Sequence, residues 1–357
     1  MLRPSRPGRA EPDVIVVPAA RPASNLDSAI RLGAALGVEV VVLCSRQART
    51  DEVLRTAAEV DGARCTVVDF PAAVPAVPQF DTSLFGEAAI SWHGDVSLKR
   101  NAALVLGRML GWSTALFLDD DIRDLGPTQV REAVGTLRVH AAAGMASTSY
   151  PDNSAVCHAR RLAVGDQGVF VGAHALAVNL DRIDSFFPQI YNEDWLLLAP
   201  FFERGEVAAA GAVRQKMRDP YTPETRVAEE EFGDVVGEGI IGQLHVGPLE
   251  STRSPDFWAR FLELRAEFIR TTSDACQRSD HPDAERALDA LRTAEAARSR
   301  LRPEMLADYV TSWYADLDTW RRYLSQVARR DDLPSALAAI GLSAESVGPR
   351  PARNTRP

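Results

Sequence analysis

The sequence predicts an α/β protein in which helices flank a mostly parallel sheet and a helical region follows at the C-terminal end. Short apolar runs, such as residues 14–17 and 38–43, alternate with amphipathic segments through the first 250 residues. Beyond residue 250, Glu, Arg, Ala and Leu recur at helical spacing and strand patterns are almost absent. A length of 357 residues with 46% hydrophobic and 25% charged residues is typical of a globular protein with a sizeable core.

Each expected strand is a short apolar run, and each expected helix carries apolar residues on one face. The strands are expected at residues 14–17, 38–43, 64–69, 114–118, 144–149, 168–171 and 175–180. Helices are expected at 24–36, 51–60 and 97–110, and Gly111 ends the last of them. The segment with Pro71, Pro75 and Pro78 is expected to be a surface connection, and residues 218–239 an acidic, irregular stretch.

The chain is expected to divide into a sheet domain at residues 13–250 and a helical region at 251–345, with disordered tails at 1–12 and 346–357. The helical region contains a continuous apolar stripe formed by Val310, Trp313, Leu317, Trp320, Leu324 and Val327. We interpret this stripe as a packing face against the first domain or against a second subunit. The second alternative is consistent with a homodimer.

Charge and targeting patterns exclude several classes of protein. The net charge of −9 argues against a nucleic-acid partner held by counterion release. No apolar run approaches the roughly 18 residues that a membrane span needs, so no span is expected. The Arg- and Pro-rich N-terminus lacks the apolar core of a secretory signal, so the expected location is the cytoplasm. The four cysteines form no CxxC pair and are expected to be reduced thiols.

The apolar strand at residues 114–118 runs directly into Asp119, Asp120 and Asp121. Ligands bind at the carboxyl edge of parallel strands, and three adjacent carboxylates repel one another unless a cation offsets their charge. A hard divalent ion whose shell is completed by phosphate oxygens fits this position. The alternative is an acidic helix start, where the helix dipole favours Asp.

Four blocks of the sequence follow one another along the chain: the opening strand ending at Pro18, residues 98–103 (LKRNAA), the triplet 119–121 and residues 192–195 (NEDW). Together they resemble the nucleotide-sugar glycosyltransferases of the GT-A fold, particularly the family 2 type, in which the triplet looks like the DxD motif. The last block is similar to the acidic block that the family places near its acceptor. The resemblance covers residues 13–250 and implies a GT-A type, Rossmann-like sheet. It also implies transfer of a sugar from a nucleoside-diphosphate sugar to the hydroxyl of a small-molecule or glycan acceptor.

The resemblance also assigns roles to individual residues. Mn²⁺ or Mg²⁺ would be held by Asp119 and Asp121 and would neutralise the diphosphate leaving group. His245 is a candidate further metal ligand, because several GT-A enzymes use a late histidine, and a structural histidine is the alternative. The residues expected at the nucleoside and diphosphate are Pro18, Arg21, Asp69, Lys99, Arg100, Asp119 and Asp120. A strand-end turn is the alternative for Asp69, and a solvated helix start for Lys99 and Arg100.

Asp194 is the candidate general base of an inverting transfer, and Glu193 is the alternative holder of that role. A helix cap with acidic residues in the first turn is the other interpretation, because the apolar run 195–198 follows. Residues 19–21 (AAR) replace the aromatic-asparagine pair common in family 2, so the preferred base is not implied. No QxxRW motif follows Asp194, which argues against a processive polysaccharide synthase.

Two alternative functions stay open. A late histidine is also typical of retaining GT-A enzymes that make glucosyl- or mannosyl-phosphoglycerate, and a non-catalytic nucleotide-binding protein is the other alternative. Sugar-nucleotide pyrophosphorylases need a glycine-rich loop after the first strand, and residues 17–22 contain no glycine. Dinucleotide-binding dehydrogenases are excluded because no GxGxxG follows any expected strand.

Overall fold

The computed structural model describes residues 11–85, 94–148, 154–165 and 171–348, and nine strands in these ranges form one sheet. The strands are β1 (Val14–Ala19), β2 (Glu39–Cys44), β3 (Cys65–Asp69), β4 (Thr114–Leu118), β5 (Ile122–Arg123), β6 (Ala142–Ser147), β7 (Ala175–Asn179), β8 (Val207–Gln215) and β9 (Ala344–Val347). Their order across the sheet is β5-β8-β6-β7-β4-β1-β2-β3-β9. Strands β1 to β4, β6 and β8 run in one direction, whereas β5, β7 and β9 are antiparallel to their neighbours. The expected mostly parallel sheet is confirmed.

Helices cover both faces of the sheet. In the described ranges they are α1 (Asp27–Leu36), α2 (Thr50–Ala58), α3 (Val96–Leu110), α4 (Pro127–Thr136), α5 (Ala155–Ala163), α6 (Glu193–Glu203), α7 (Glu224–Leu244), α8 (Pro255–Gln277), α9 (Ala284–Arg298), α10 (Pro303–Gln326) and α11 (Leu333–Ala339). Successive side chains of β1 point to opposite faces. Val14 and Val16 join the core under α3, α6 and α10, and Ile15 and Val17 join the core under α1, α2 and α4. None of these helices is long and apolar enough to cross a membrane.

The sequence does not predict three of the strands. β8 is rich in Ala and contains Gly211, which weakens the usual strand pattern, and β5 has only two residues. β9 pairs with β3, so the folded part of the chain continues to residue 348, beyond the tail boundary expected at 346. At the other end, Glu11 lies 3.0 Å from Arg131, so the expected tail at 1–12 is too long. Residues 1–10, 349–357 and most of the strand expected at 168–171 lie outside the described residues.

The C-terminal helices pack against the sheet domain of the same chain. Trp313 and Trp320 of α10 are fully buried, and the Trp320 ring centroid lies 6.0 Å from that of Phe80. Phe80 in turn stacks on Phe186, with ring centroids 3.9 Å apart. The apolar stripe of α10 is therefore an internal packing face, and it no longer supports a homodimer.

Residues 224–244 form the 21-residue helix α7, where the sequence predicts an irregular stretch. That prediction is wrong because four glycines lower the intrinsic helix propensity and no clear apolar stripe marks the helix. In the structure, glycine allows close packing. A Cβ on Gly233 would lie 2.1 Å from the carbonyl oxygen of Tyr191, and one on Gly239 would lie 2.5 Å from the Trp258 ring. Tertiary packing outweighs local propensity in this segment.

Gly233→Ala tests this packing, and Gly242→Ala is the matched control on the same helix. The methyl group at position 233 collides with a backbone oxygen, so we expect the free energy of unfolding to fall by about 1–3 kcal/mol. Apart from its own neighbours in the helix, no described atom lies within 4 Å of a Cβ at position 242, so helix propensity should raise the free energy of unfolding of that variant by about 0.5–1 kcal/mol. Urea denaturation measures both changes, and equal effects at the two positions would contradict the close packing.

Candidate functional site

A cleft of about 480 Å³ opens where the carboxyl ends of β1, β2, β4 and β8 meet the start of α6. Parallel strands place their carboxyl ends at one edge of a sheet, which explains why loops far apart in sequence meet there. Of the residues singled out in the sequence, those that line this cleft are Pro18, Arg21, Arg100, Asp119, Asp120, Asp121, Glu193 and Asp194.

Asp120 ties the loop after β1 to the loop after β4. Its Oδ2 accepts hydrogen bonds from the backbone amides of Ala20 and Arg21, both at 2.9 Å, and its Oδ1 pairs with the Arg21 guanidinium. The same guanidinium lies 2.9 Å from the carboxylate of Asp121. That carboxylate also accepts a hydrogen bond from the side-chain amide of Gln215 at 3.4 Å. Burial opposes the charge of Arg21, but Asp121 and Asp120 raise its pKa. Asp120 thus positions the loop after β1 at the cleft, and its expected contact with the nucleotide stays a prediction.

Arg100 bridges the two acidic motifs of the cleft. Its Nη2 donates to Asp119 at 2.6 Å and to the carbonyl of Ala173 at 3.3 Å, and its Nη1 donates to Glu193 at 2.5 Å. The side chain is 4% exposed, and its guanidinium lies 5.5 Å from the ring centroid of Phe187. Burial opposes the charge of Arg100, but Asp119 and Glu193 raise its pKa, whereas burial raises the pKa of Glu193. Arg100 therefore fixes the separation of two carboxylates.

Asp194 lies in the first turn of α6, where backbone amides hold its carboxylate. Its Oδ2 accepts from the amide of Ala173 at 2.6 Å, and its Oδ1 accepts from the amide of Trp195 at 2.9 Å. The preceding N-cap residue, Asn192, has a φ of 62°, a left-handed conformation that Asn tolerates better than most residues. A Cβ on Gly172 would lie only 3.0 Å from Oδ2 of Asp194, so glycine leaves room for the carboxylate. Asp194 is a fixed carboxylate at the cleft, suited to accept a proton.

Asp119 and Asp121 offer oxygen ligands of the kind that Mn²⁺ and Mg²⁺ prefer. The fit depends on Arg21, because its guanidinium already pairs with Asp121. The side chain of Arg21 is 39% exposed, so it can turn toward solvent when a cation approaches. The residues present therefore fit a divalent cation whose coordination shell is completed by a ligand such as a diphosphate.

Lys99, which the resemblance assigns to the base or phosphate, is instead buried and does not line the cleft. Its ammonium donates to the carbonyl of Ala19 at 2.9 Å and to Ser45 Oγ at 2.7 Å. Asp95 is its ion-pair partner at 3.1 Å, so all three donors are used within the protein. Burial lowers the pKa of Lys99, and Asp95 partly compensates. The structure gives this lysine a packing role.

Asp69 and His245 are not brought to the cleft lining either. Asp69 ends β3 and is exposed. His245 is exposed and caps the C-terminal end of α7, whereas Arg226, near the start of that helix, lines the cleft. At 1.5 Å per residue, the helix separates His245 from Arg226 by about 28 Å. His245 lies outside the cleft lining, so the structure does not support it as a ligand of a metal held there.

The cleft also contains residues that the sequence does not single out, among them Arg46, His174, Gln215 and Arg226. Gln215 ends β8, a strand with no clear sequence pattern. His174 comes just before β7, which is antiparallel to β4, so the start of β7 lies beside the end of β4. The carbonyl of His174 accepts a hydrogen bond from the amide of Asp119 at 2.9 Å. His174 comes just before the strand expected at 175–180, and this is the one local signal in the sequence that could have placed it at the cleft.

Arg100→Met removes the buried cation between two carboxylates, and Arg108→Met, on the exposed side of the same helix, is the matched control. Without Arg100, Asp119 would lose its partner and buried Glu193 would have to take up a proton, so we expect the free energy of unfolding to fall by about 3–5 kcal/mol. The change at exposed Arg108 should stay within about 0.5 kcal/mol. Denaturation followed by circular dichroism measures both variants. A loss at Arg100 no larger than at Arg108 would contradict the bridging role.

No family model matches this sequence, and a search of curated proteins finds no match. Several solved structures resemble it in part. Glucosyl-3-phosphoglycerate synthase from Mycobacterium tuberculosis, in complex with Mn²⁺, UDP-glucose and phosphoglyceric acid, is 18% identical over 68% of this chain and 86% of that chain, with a TM-score of 0.40. The mannosyltransferase PcManGT from Pyrobaculum calidifontis, in complex with GDP-Man and Mn²⁺, is 15% identical over 89% of this chain and 85% of that chain, with a TM-score of 0.43. Likeness at this level assigns no ligand, metal or reaction to this chain.

Proposed function

We propose that this protein is a metal-dependent glycosyltransferase that transfers a sugar from a nucleoside-diphosphate sugar to an acceptor hydroxyl. The supporting observation is the content of one cleft. Asp119 and Asp121, which suit a cation, share it with Asp194, a carboxylate fixed by backbone amides. Arg100 donates to Asp119 and to Glu193, the residue next to Asp194, and so links the two sets of carboxylates. The cleft thus combines oxygen ligands for a cation with a positioned proton acceptor.

Asp119 and Asp121 would hold Mn²⁺ or Mg²⁺, and the bound cation would neutralise charge on the diphosphate leaving group. Arg21 pairs with Asp121 at the cleft and would turn to a diphosphate oxygen, since a guanidinium forms paired hydrogen bonds with phosphate. Pro18, at the end of β1, borders the part of the cleft proposed for the nucleoside. The donor side of the cleft is thus built from the loops after β1 and β4.

Asp194 would accept the proton of the acceptor hydroxyl while that oxygen attacks the anomeric carbon and the bond to the diphosphate breaks. The amides of Ala173 and Trp195 hold the carboxylate in one orientation, which reduces the freedom lost during reaction. Glu193 is the poorer candidate because Arg100 engages it and burial raises its pKa. Attack from the face opposite the leaving group inverts the anomeric centre.

A retaining enzyme of the glucosyl- or mannosyl-phosphoglycerate synthase type is the second candidate function. Arg46 and Arg218 also line the cleft, and guanidinium groups suit an acceptor that carries phosphate or carboxylate. The anomeric configuration of the product, determined by NMR, separates the inverting reaction from the retaining one. A small molecule or a glycan is the proposed acceptor in both cases.

Thermal denaturation with UDP, GDP, dTDP and CDP, each with Mn²⁺, Mg²⁺ or EDTA, tests donor binding. A ligand at 100 times its Kd should add about 2.7 kcal/mol to the free energy of unfolding, which is easily seen as a rise in Tm. We expect one nucleotide to raise Tm only with a divalent cation, and Asp121→Asn to abolish the rise. Asp124→Asn, a change at an exposed neighbouring carboxylate, should leave it intact. No rise with any nucleotide would contradict the donor site.

Asp194→Asn tests the proton acceptor. Asn has the same size and can accept one of the two amide hydrogen bonds, but it cannot take a proton at neutral pH. We expect kcat to fall by about 10²–10⁴-fold, with the nucleotide-dependent rise in Tm unchanged. Steady-state transfer assays with the nucleotide sugar identified by Tm provide the measurement. A variant equal to the wild type in every property would indicate a non-catalytic nucleotide-binding protein.

A further inference from the structure

Helix α7 contacts the turn at residues 191–194, which carries the proposed proton acceptor. Asn192 donates from Nδ2 to Oδ1 of Asp234 on α7, at 3.0 Å. The backbone of α7 also touches the turn, because a Cβ on Gly233 would lie 2.1 Å from the carbonyl oxygen of Tyr191. The position of this turn therefore depends on where α7 sits.

The other oxygen of Asp234 connects the turn to the C-terminal helices. Oδ2 of Asp234 accepts from Arg265 of α8 at 2.8 Å. The Arg265 side chain is 1% exposed and also donates to Glu231 at 2.9 and 2.7 Å and to Glu238 at 2.8 Å. All three nitrogens of its guanidinium are thus engaged by carboxylates of α7. Asn192, Asp234 and Arg265 form one continuous chain of hydrogen bonds.

Stability alone does not explain a carboxylate at position 234. Three carboxylates surround one guanidinium in this buried cluster, so their charges repel one another. Burial raises the pKa of Glu230 and of Glu238 to about 7, and the charge of Asp234 adds to both shifts. A neutral side chain at 234 would relieve this repulsion. What the carboxylate supplies is an acceptor at each oxygen, Oδ1 for Asn192 and Oδ2 for Arg265, which a neutral amide does not.

We propose that Asp234 and Arg265 are positioning residues that hold Asn192, and through it keep Asp194 in place at the cleft. The catalytic consequence rests on the proposed transfer reaction. Asn192 has φ 62° and ψ 32°, a conformation that a residue other than glycine adopts at a cost. The hydrogen bond to Asp234 offsets this cost and selects one orientation of the turn. Residues of α7 and α8, outside the cleft, thus take part in shaping the site.

Four variants separate the hydrogen bond from the charge of the cluster. Asp234→Ala removes the acceptor, and Asn192→Gly removes the donor while allowing positive φ. Asp234→Asn removes the charge and keeps one acceptor oxygen, which can serve Asn192 or Arg265 but not both. Glu231→Gln is the matched control, because Glu231 also binds Arg265 on α7 and, in the described structure, has no hydrogen bond to the turn.

Two measurements are made on each variant: hydrogen–deuterium exchange of the peptide at residues 191–197, and steady-state kinetics with the Kd of the nucleoside diphosphate. Asp234→Ala and Asn192→Gly should each speed exchange about tenfold and lower kcat about 10–100-fold, with the Kd unchanged. The variant that combines Asp234→Ala with Asn192→Gly should have a kcat no lower than that of either single variant, because both changes break the same hydrogen bond. Glu231→Gln should stay within about twofold of wild type on both measurements, because it leaves the hydrogen bond between Asn192 and Asp234 in place. Asp234→Asn should fall between wild type and Asp234→Ala on both measurements.

Unchanged exchange at the turn in both Asp234→Ala and Asn192→Gly would overturn the proposal. An effect of Glu231→Gln as large as theirs would also overturn it. Faster exchange with unchanged kcat would overturn the positioning role. A wild-type protein that binds no nucleoside diphosphate and transfers no sugar would refute the proposed function instead. In that case the exchange comparison still decides whether the network holds the turn.

Discussion

The buried guanidinium of Arg100 is the interaction on which the geometry of the cleft depends. The sheet brings Asp119 and Glu193 together from distant parts of the sequence, and two like charges at short range repel strongly away from water. A guanidinium can bind one carboxylate with each terminal nitrogen, so the group that neutralises the pair also fixes its separation. The ring of Phe187 and the carbonyl of Ala173 hold the guanidinium on its remaining sides.

A second buried guanidinium is linked to the same turn through other residues. Arg100 reaches the start of α6 through Glu193, and Arg265 reaches it through Asp234 and Asn192. Desolvation offsets the attraction within buried ion clusters, so their presence is weak evidence for stability. Their effect in this protein is on orientation, because each arginine fixes carboxylates from another element. The start of α6 is thus bonded to α3 through Arg100 and to α7 and α8 through Asp234 and Arg265.

The parts of the fold and site that could be predicted are those encoded in a local pattern. Asp119 follows an apolar strand, so its place at a sheet edge follows from the order of elements. Lys99 and Arg100 carry the same charge, and only the rotation of α3 against β1 decides that Arg100 meets the carboxylates while Lys99 binds within the interior. Nothing local encodes that rotation. The glycines of α7 and the alanines of β8 weaken the patterns by which a helix or a strand is predicted from sequence. For that reason the distance of His245 from the cleft and the presence of Gln215 at the cleft could not be derived.

The two arginines of the cleft differ in exposure, and this difference decides what each can do. Moving Arg100, which is 4% exposed, would leave two carboxylates without a partner in a buried place. Arg21 is 39% exposed although its partner Asp121 is 3% exposed, so its guanidinium can turn toward solvent. A divalent cation would then compete for Asp121 without disturbing the bridge at Arg100, and the displaced guanidinium would stay beside the diphosphate of the proposed donor. The two guanidinium groups carry the same charge, and their exposure decides that Arg100 stays fixed while Arg21 can exchange its partner.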